Sequence, residues 1–335
     1  MAELYQEVAS FSNLLTAFNK AFKGKRNNPE ASFYFLNLEK HLFSLRHGLL
    51  SKKYKPGRYR YFTVRDPKER IISEAPFRDR VVHHALINVI EPVFENIFIE
   101  NSFACRKGKG SHRAVLLVRE YLKRHRFYLK LDIEKYFENI NHKKLVEIIA
   151  EEIADEEVIG LIKRILKTSE QSAGVIGRGI PIGNLTSQFF ANVYLNKLDH
   201  YVLKELFLPD YLRYMDDFVV FGDDKEKLKE VRDKLREYVS KELFLKAKER
   251  AVMIQRRENG IGFLGYRVFP RLIRIKNKNV RRMKRKIAFE ERRFHVGEIS
   301  QEHLAASVRS MIGYFKLANS RNLMRDIFYG HSKIA

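Results

Sequence analysis

A chain of 335 residues, 45% hydrophobic and 12% aromatic, can bury a sizeable core and is too apolar to stay disordered, yet it has no uninterrupted apolar run of the ~18 residues that a membrane helix needs. With 64 Lys and Arg against 41 Asp and Glu, the formal charge of +23 calls for a polyanionic partner. The basic residues are spread over many segments rather than gathered on one helix, which favours nucleic acid over a lipid surface.

In chain order, residues 1 to about 50 read as helical, with Leu14, Leu15, Phe18, Phe35, Leu36 and Leu38 as apolar positions. The acidic start has no basic n-region or cleavage site, so no secretory signal is expected and the cytoplasm is the expected location. Pro56 and Gly57 break the helical pattern, and YFTV and RIIS flank the turn-forming RDPKE as a hairpin. RDRVVHHALINVIEPVF spaces Val81, Val82, Leu86 and Val89 as a helix that is expected to stop around Pro92. The single cysteine, Cys105, excludes an intrachain disulfide and a cysteine-rich zinc site. The glycines of RKGKGSH lack P-loop spacing and suit either a solvated basic loop or a phosphate cradle. A helix from about His112 to His125 follows.

In RFYLKLDIEKYF, Phe127, Leu129 and Leu131 alternate with Tyr128, Lys130 and Asp132, placing the aspartate at a strand's end on the face opposite the leucines. Asn141 caps a helix with a stripe of Leu145, Ile148, Ile149 and Ile153. The IPIGN loop leads into a helix capped by Asn184 or Thr186. RYMDDFVVFGDD predicts a strand pair, followed by a charged helix through about Ser240 and a strand-like IGFLGYRVF. From Asn279 the chain reads as helical and very basic, with Val280, Met283 and Ile287 on an apolar side and Arg281, Arg282, Lys284 and Arg285 placed to bind a nucleic-acid backbone. Strands alternating with helices make the fold α+β. His83, His84, His112 and His200 show no metal-ligand spacing.

Asp-Asp alone reads as a solvated turn. Here Tyr214-Met215 and Phe218-Val219-Val220-Phe221 bury the flanks of Asp216 and Asp217, an odd place for two charges unless they have ligands. Together with Asp132, these carboxylates form a hard-oxygen set suited to divalent ions, as phosphoryl transfer to a 3′ end requires, with two metals about 3.5 to 4 Å apart.

Tyr214-Met215-Asp216-Asp217 resembles the catalytic motif of reverse transcriptases, and LDIEKYFENINH resembles the preceding motif with its metal-binding aspartate, Asp132. IPIGNLTSQFFANVYLNKLD is similar to the intervening nucleotide-binding motif and GFLGYRVF to the primer-grip region, a likeness running from about Tyr54 to Phe269. It implies an RNA-directed DNA polymerase, a nucleotidyltransferase shaped as a right hand. Residues 1–53 would be an N-terminal helical extension, 54–275 the fingers and a ferredoxin-like palm, and 276–335 a basic helical thumb. The acids would take two Mg2+ ions, with Mn2+ as a possible substitute.

Carried onto this sequence, the resemblance gives Phe137 as the aromatic gate beneath the sugar and Arg70, with Lys68, as triphosphate contacts. Ile182, Gly183 and Gln188 would lie in the nucleotide-binding motif. Lys248 resembles the lysine opposite pyrophosphate, although its flanks depart from Asn-Pro-x-Lys. Ile182-Gly183 replaces the usual Gln-Gly, and Ser187-Gln188 lacks the proline often found there, a spelling that resembles diversity-generating retroelement reverse transcriptases. That family copies a template RNA with errors opposite adenine, so template RNA, cDNA or primer, dNTPs and a small basic accessory protein are the implied partners. Loss of a polar side chain at position 182 is expected to lower fidelity. No endonuclease or RNase H segment is expected within the chain. A retron, group II intron-like or antiphage reverse transcriptase, or a non-catalytic RNA-binding protein on the same scaffold, remains as the alternative.

Overall fold

The computed structural model describes residues 4–65, 69–173 and 175–328. Four helices open the chain: α1 (Leu4–Val8), α2 (Phe11–Phe22), α3 (Pro29–Leu36) and α4 (Leu38–Leu50). Ser10 caps α2 by accepting from the Asn13 N–H, and Asn28 caps α3 with Pro29 at its first turn. Leu14, Ala17, Phe18 and Ala21 form the buried stripe of α2. Leu15, Phe35 and Leu36, read from sequence as apolar positions of these helices, are instead exposed. Eight-residue α3 can bury only one narrow face, taken by Ala31 and Tyr34, while Phe35 lies flat against Phe18 and Phe22 at the rim.

The hairpin β1 (Arg60–Val64) and β2 (Arg70–Glu74) pairs Arg60 with Glu74 and Val64 with Arg70, and every residue of β1 is exposed. Then α5 (Phe77–Glu95) runs through Pro92 rather than ending there. An interior proline costs ~3 kcal/mol. Burial of Val81, Val82, Leu86, Val89, Ile90 and Phe94 on this helix offsets that cost, and Phe94 packs edge-on against Phe189. Its His83 is buried and held neutral, burial lowering its pKa to about 3, as befits a core histidine.

After α6 (Ser111–Arg124) come β3 (Phe127–Asp132), α7 (Tyr136–Asn139), α8 (His142–Glu152), α9 (Glu156–Ala173) and α10 (Leu185–His200), which ends in a π-helical turn at Tyr201–Glu205. Asn141 caps α8 by accepting from the Lys144 N–H, as predicted. Asn184 holds the N-cap position of α10, yet its side chain makes no cap bond, and Thr186 lies inside the helix. The central sheet closes with β4 (Tyr211–Tyr214), β5 (Asp217–Gly222), α11 (Lys225–Lys241) and β6 (Met253–Arg256). The sheet order β4-β5-β3-β6 is antiparallel throughout, the split βαβ arrangement of a ferredoxin-like sheet. Both faces are packed: Leu129, Leu131, Phe218 and Val220 join one core with the N-terminal helices, while Tyr128, Leu212, Val219 and Phe221 join a second.

IGFLGYRVF is a hairpin rather than one strand: β7 (Ile261–Phe263) turns through left-handed Leu264 and Gly265 into β8 (Tyr266–Val268), and β9 (Ile273–Ile275) completes the sheet. The basic tail forms α12 (Asn277–His295), α13 (Gln301–Lys316) and α14 (Arg321–Phe328). Met283, Ile287, Met311, Phe315 and Ile327 pack these helices into the second core.

Candidate active site

Strand pairing brings the predicted acids together. Asp132 stands directly opposite Asp217 across β3 and β5, and Asp216 sits in the two-residue turn joining Tyr214 to Asp217. Met215, the other turn residue, has φ 55, a left-handed conformation that costs a non-glycine residue roughly 1–2 kcal/mol. Burial pushes the Asp217 carboxyl up to about 6, the neighbouring Lys130 opposing the rise and Asp132 and Asp216 adding to it. Burial and then Asp132 also raise Asp216, while Arg70 and Lys248 pull it down. Asp217 Oδ2 accepts from Lys130 Nζ at 2.8 Å, whereas buried Oδ1 has no donor among the described residues. Among the described residues no group of three His, Cys, Asp or Glu side chains is already gathered as a metal cage.

Cations surround these acids. The Lys248 N–H donates to the Asp132 carbonyl at 2.8 Å, so the LKAKER segment runs alongside the end of β3. Lys130 also donates to the Gly262 carbonyl and lies over the Phe263 ring, linking the acids to β7. Lys276 reaches over Gly262, where a Cβ would come within 2.8 Å of its ammonium, and burial and Lys130 lower its pKa.

The β1–β2 hairpin meets the IPIGN loop. The Ser73 N–H donates to the Ile182 carbonyl at 2.9 Å, and the Asn184 side chain, diverted from its cap, donates to the Ser73 carbonyl. Gly183 has φ +115, and a Cβ there would come within 2.7 Å of Ile72, so this contact requires glycine. The Ile180 N–H donates to the Phe137 carbonyl, which joins the loop to the turn after Asp132. Arg70, Ile182, Ile71 and Glu138 line a cavity of about 540 Å3.

Asp132, Asp216, Asp217, Arg70, Phe137, Ile182, Gly183 and Lys248 thus converge on one region. Gln188 is exposed on α10 and touches Cys105, which in turn acts electrostatically on Tyr214. Lys68 falls outside the described residues. Arg281, Lys284 and Arg285 are exposed on α12, and half-buried Arg282 acts on the Tyr314 phenol, so this cluster belongs to the helical tail rather than the acids.

Sequence reading missed a buried clamp behind the turn. Fully buried Arg213 makes a bidentate pair with Asp199, bonds Asn192, and donates to the Met215 carbonyl at 3.2 Å. An arginine in the middle of an apolar strand was a visible signal; its partner on α10 was not.

The split βαβ sheet with acids at the β3 end and the β4–β5 turn defines a right-hand polymerase palm. Residues 55–268 match the family described as "Reverse transcriptase (RNA-dependent DNA polymerase)", and the chain belongs to that family. Protein YkfC of Escherichia coli is 26% identical over 267 residues, 67% of this chain and 70% of that protein. The group II intron-encoded protein LtrA of Lactococcus lactis is 26% identical, over 58% of this chain and 33% of LtrA. The mitochondrial nuclear intron maturase 2 of Arabidopsis thaliana is also 26% identical, over 42% of this chain and 21% of that protein. The chain therefore spans a third or less of the length of these two intron-type relatives. Among solved structures, telomerase from Candida albicans shares 12% identity and a TM-score of 0.49 over 86% of this chain and 61% of that one. No helix among the described residues is long and apolar enough to cross a membrane.

Proposed function

We propose that this chain extends a DNA 3′ end along an RNA template, with residues 54–275 acting as fingers and palm and residues 276–335 as thumb. The observation that carries this reading is the register that sets Asp132 against Asp217 beside Asp216. Three carboxylates, one with a buried oxygen lacking a donor, fit a hard divalent ion such as Mg2+, with Mn2+ as substitute. When bound, two such ions supply an activated 3′ hydroxyl and neutralise charge at the leaving pyrophosphate. Lys130 holds Asp217 in place through its bond to Oδ2. Arg70 and Lys248, close enough to act on Asp216, are the cations that would meet the triphosphate. Phe137 would sit beneath the sugar and exclude a 2′-hydroxyl, and Gly183 would let the fingers close on the loop. Arg281, Arg282, Lys284 and Arg285 would track the duplex backbone.

Primer extension on a defined RNA with magnesium tests the reading. Asp216→Asn is expected to lower the rate at least about 10³-fold, since the missing ligand removes several kcal/mol of charge stabilisation. Full activity in that variant overturns the assignment.

Within this family, the Ile182-Gly183 spelling supports a diversity-generating retroelement enzyme, error-prone at template adenines and working with a small basic accessory protein. Ile182 shares its cavity with Ile71, Ile180 and Pro181, and an isoleucine there cannot penalise a mispair by leaving a polar group unmatched. Ile182→Gln should reduce misincorporation opposite adenine by severalfold, read by sequencing the cDNA; an unchanged spectrum removes this support. The intron-type relatives favour a second reading, an enzyme that copies intron RNA.

A further inference from the structure

A second basic surface lies away from the acids. Two adjoining cavities, of about 880 and 890 Å3, share Arg119 and Arg274 in their walls and together form one groove from α6 across the β8–β9 turn to the start of α14. Lys123, Arg257 and Arg271 line the first cavity, and Lys316 and Arg321 line the second. Glu120 partly neutralises Arg119 and Lys123, and Glu258 pairs with Arg257. Among the described residues no carboxylate pairs with Arg271, Arg274, Lys316 or Arg321, and the buried Arg119 Nε has no acceptor.

The groove is held in shape. Arg267 and Arg274 each lie about 6 Å from the Phe269 ring centre, and that ring packs on left-handed Gly260, where a Cβ would come within 2.6 Å of it. The Arg257 N–H donates to the Arg126 carbonyl and its guanidinium to the Lys123 carbonyl, fixing the groove at the Phe127 end of β3. Asp132 ends the same strand five residues on, roughly 17 Å away at ~3.3 Å per residue.

We propose that this groove is a second nucleic-acid site, which takes the sugar–phosphate backbone of a folded RNA segment outside the primer–template hybrid. Guanidiniums dominate it, and their planar forks suit phosphate oxygens better than ammonium groups do. It is concave and ringed by charge, whereas a membrane-binding face needs projecting apolar side chains. The proposal rests on the polymerase reading only for naming RNA as the polyanion.

The test compares the full chain with Arg271→Gln/Arg274→Gln and with a control of equal charge change, Lys227→Gln/Lys234→Gln, on the exposed side of α11. Each protein is titrated with a hairpin-rich RNA lacking a primer end, with a short RNA–DNA hybrid, and with vesicles containing phosphatidylserine. The groove variant is expected to lose about tenfold in affinity for the folded RNA at physiological salt. Its slope of log K against log salt should fall by about 1.4 to 1.8, while binding and extension of the short hybrid stay as in the parent. A loss no greater than the control's overturns the proposal, as does an equal loss on the short hybrid or a loss confined to vesicles. A parent that binds folded RNA through Arg271 and Arg274 yet extends no primer would defeat the polymerase reading and leave this inference standing.

Discussion

Arg213 and Asp199 show how a single pair supports the Met215–Asp216 turn. Both side chains are fully buried, so removing one leaves the other as an uncompensated charge, at a cost of about 3–5 kcal/mol. Arg213→Met alone should therefore unfold at markedly lower urea, and Arg213→Met/Asp199→Leu should regain part of that loss, because an apolar pair replaces the ion pair while the Tyr211 hydroxyl and the Asn192 amide oxygen lose their partners. The bond from Arg213 to the Met215 carbonyl does not return in the double variant. Primer extension should stay well below the parent even where stability is recovered, and full recovery of both would reduce the clamp to packing. Lys130 was legible, since period-2 alternation puts it on the same face as Asp132; its bridge to Gly262, 132 positions later, was not.

At the scale of elements, the fingers hairpin has little core of its own: β1 is exposed throughout, and two strands alone are marginally stable in water. Its attachment is the Ser73 exchange with Ile182 and Asn184. Asn184→Ala removes one bond of that attachment without opening a cap, because Asn184 does not cap α10. We expect global stability to fall by about 1–3 kcal/mol, since the bond is buried, amide exchange in β1 and β2 to accelerate, and KM for dNTP to rise more than kcat falls. Unchanged exchange in the hairpin would show that other contacts hold it. Sequence placed this hairpin, the strand ending in Asp132 and the Asn141 cap correctly. It placed the end of α5 wrongly at Pro92, because local propensity yields where a helix is buried on nearly every side.

For the whole molecule, the formal charge of +23 is spread over many segments, with α12 and the basic groove among the most densely basic. Each phosphate neutralised adds a slope of roughly 0.7 to 0.9 to the salt dependence of binding. Affinity for RNA should therefore fall steeply with salt, with a log–log slope of at least about 4 in magnitude, measured by anisotropy between 50 and 200 mM salt. A slope near one would mean that most of this charge faces solvent rather than nucleic acid.

The sequence by itself determined the elements whose signals are local: strand alternation, helix stripes, caps, and the motif order that marks a reverse transcriptase. It also named the acids, since Asp132, Asp216 and Asp217 each end or join strands that short-range patterning can find. Only the tertiary structure decided that Asp132 faces Asp217, that Arg213 finds Asp199, and that arginines from α6 and β9 share one groove. Those facts depend on which segments fold against one another, and strand register and helix docking are set by packing across the whole core rather than by any stretch of neighbouring residues.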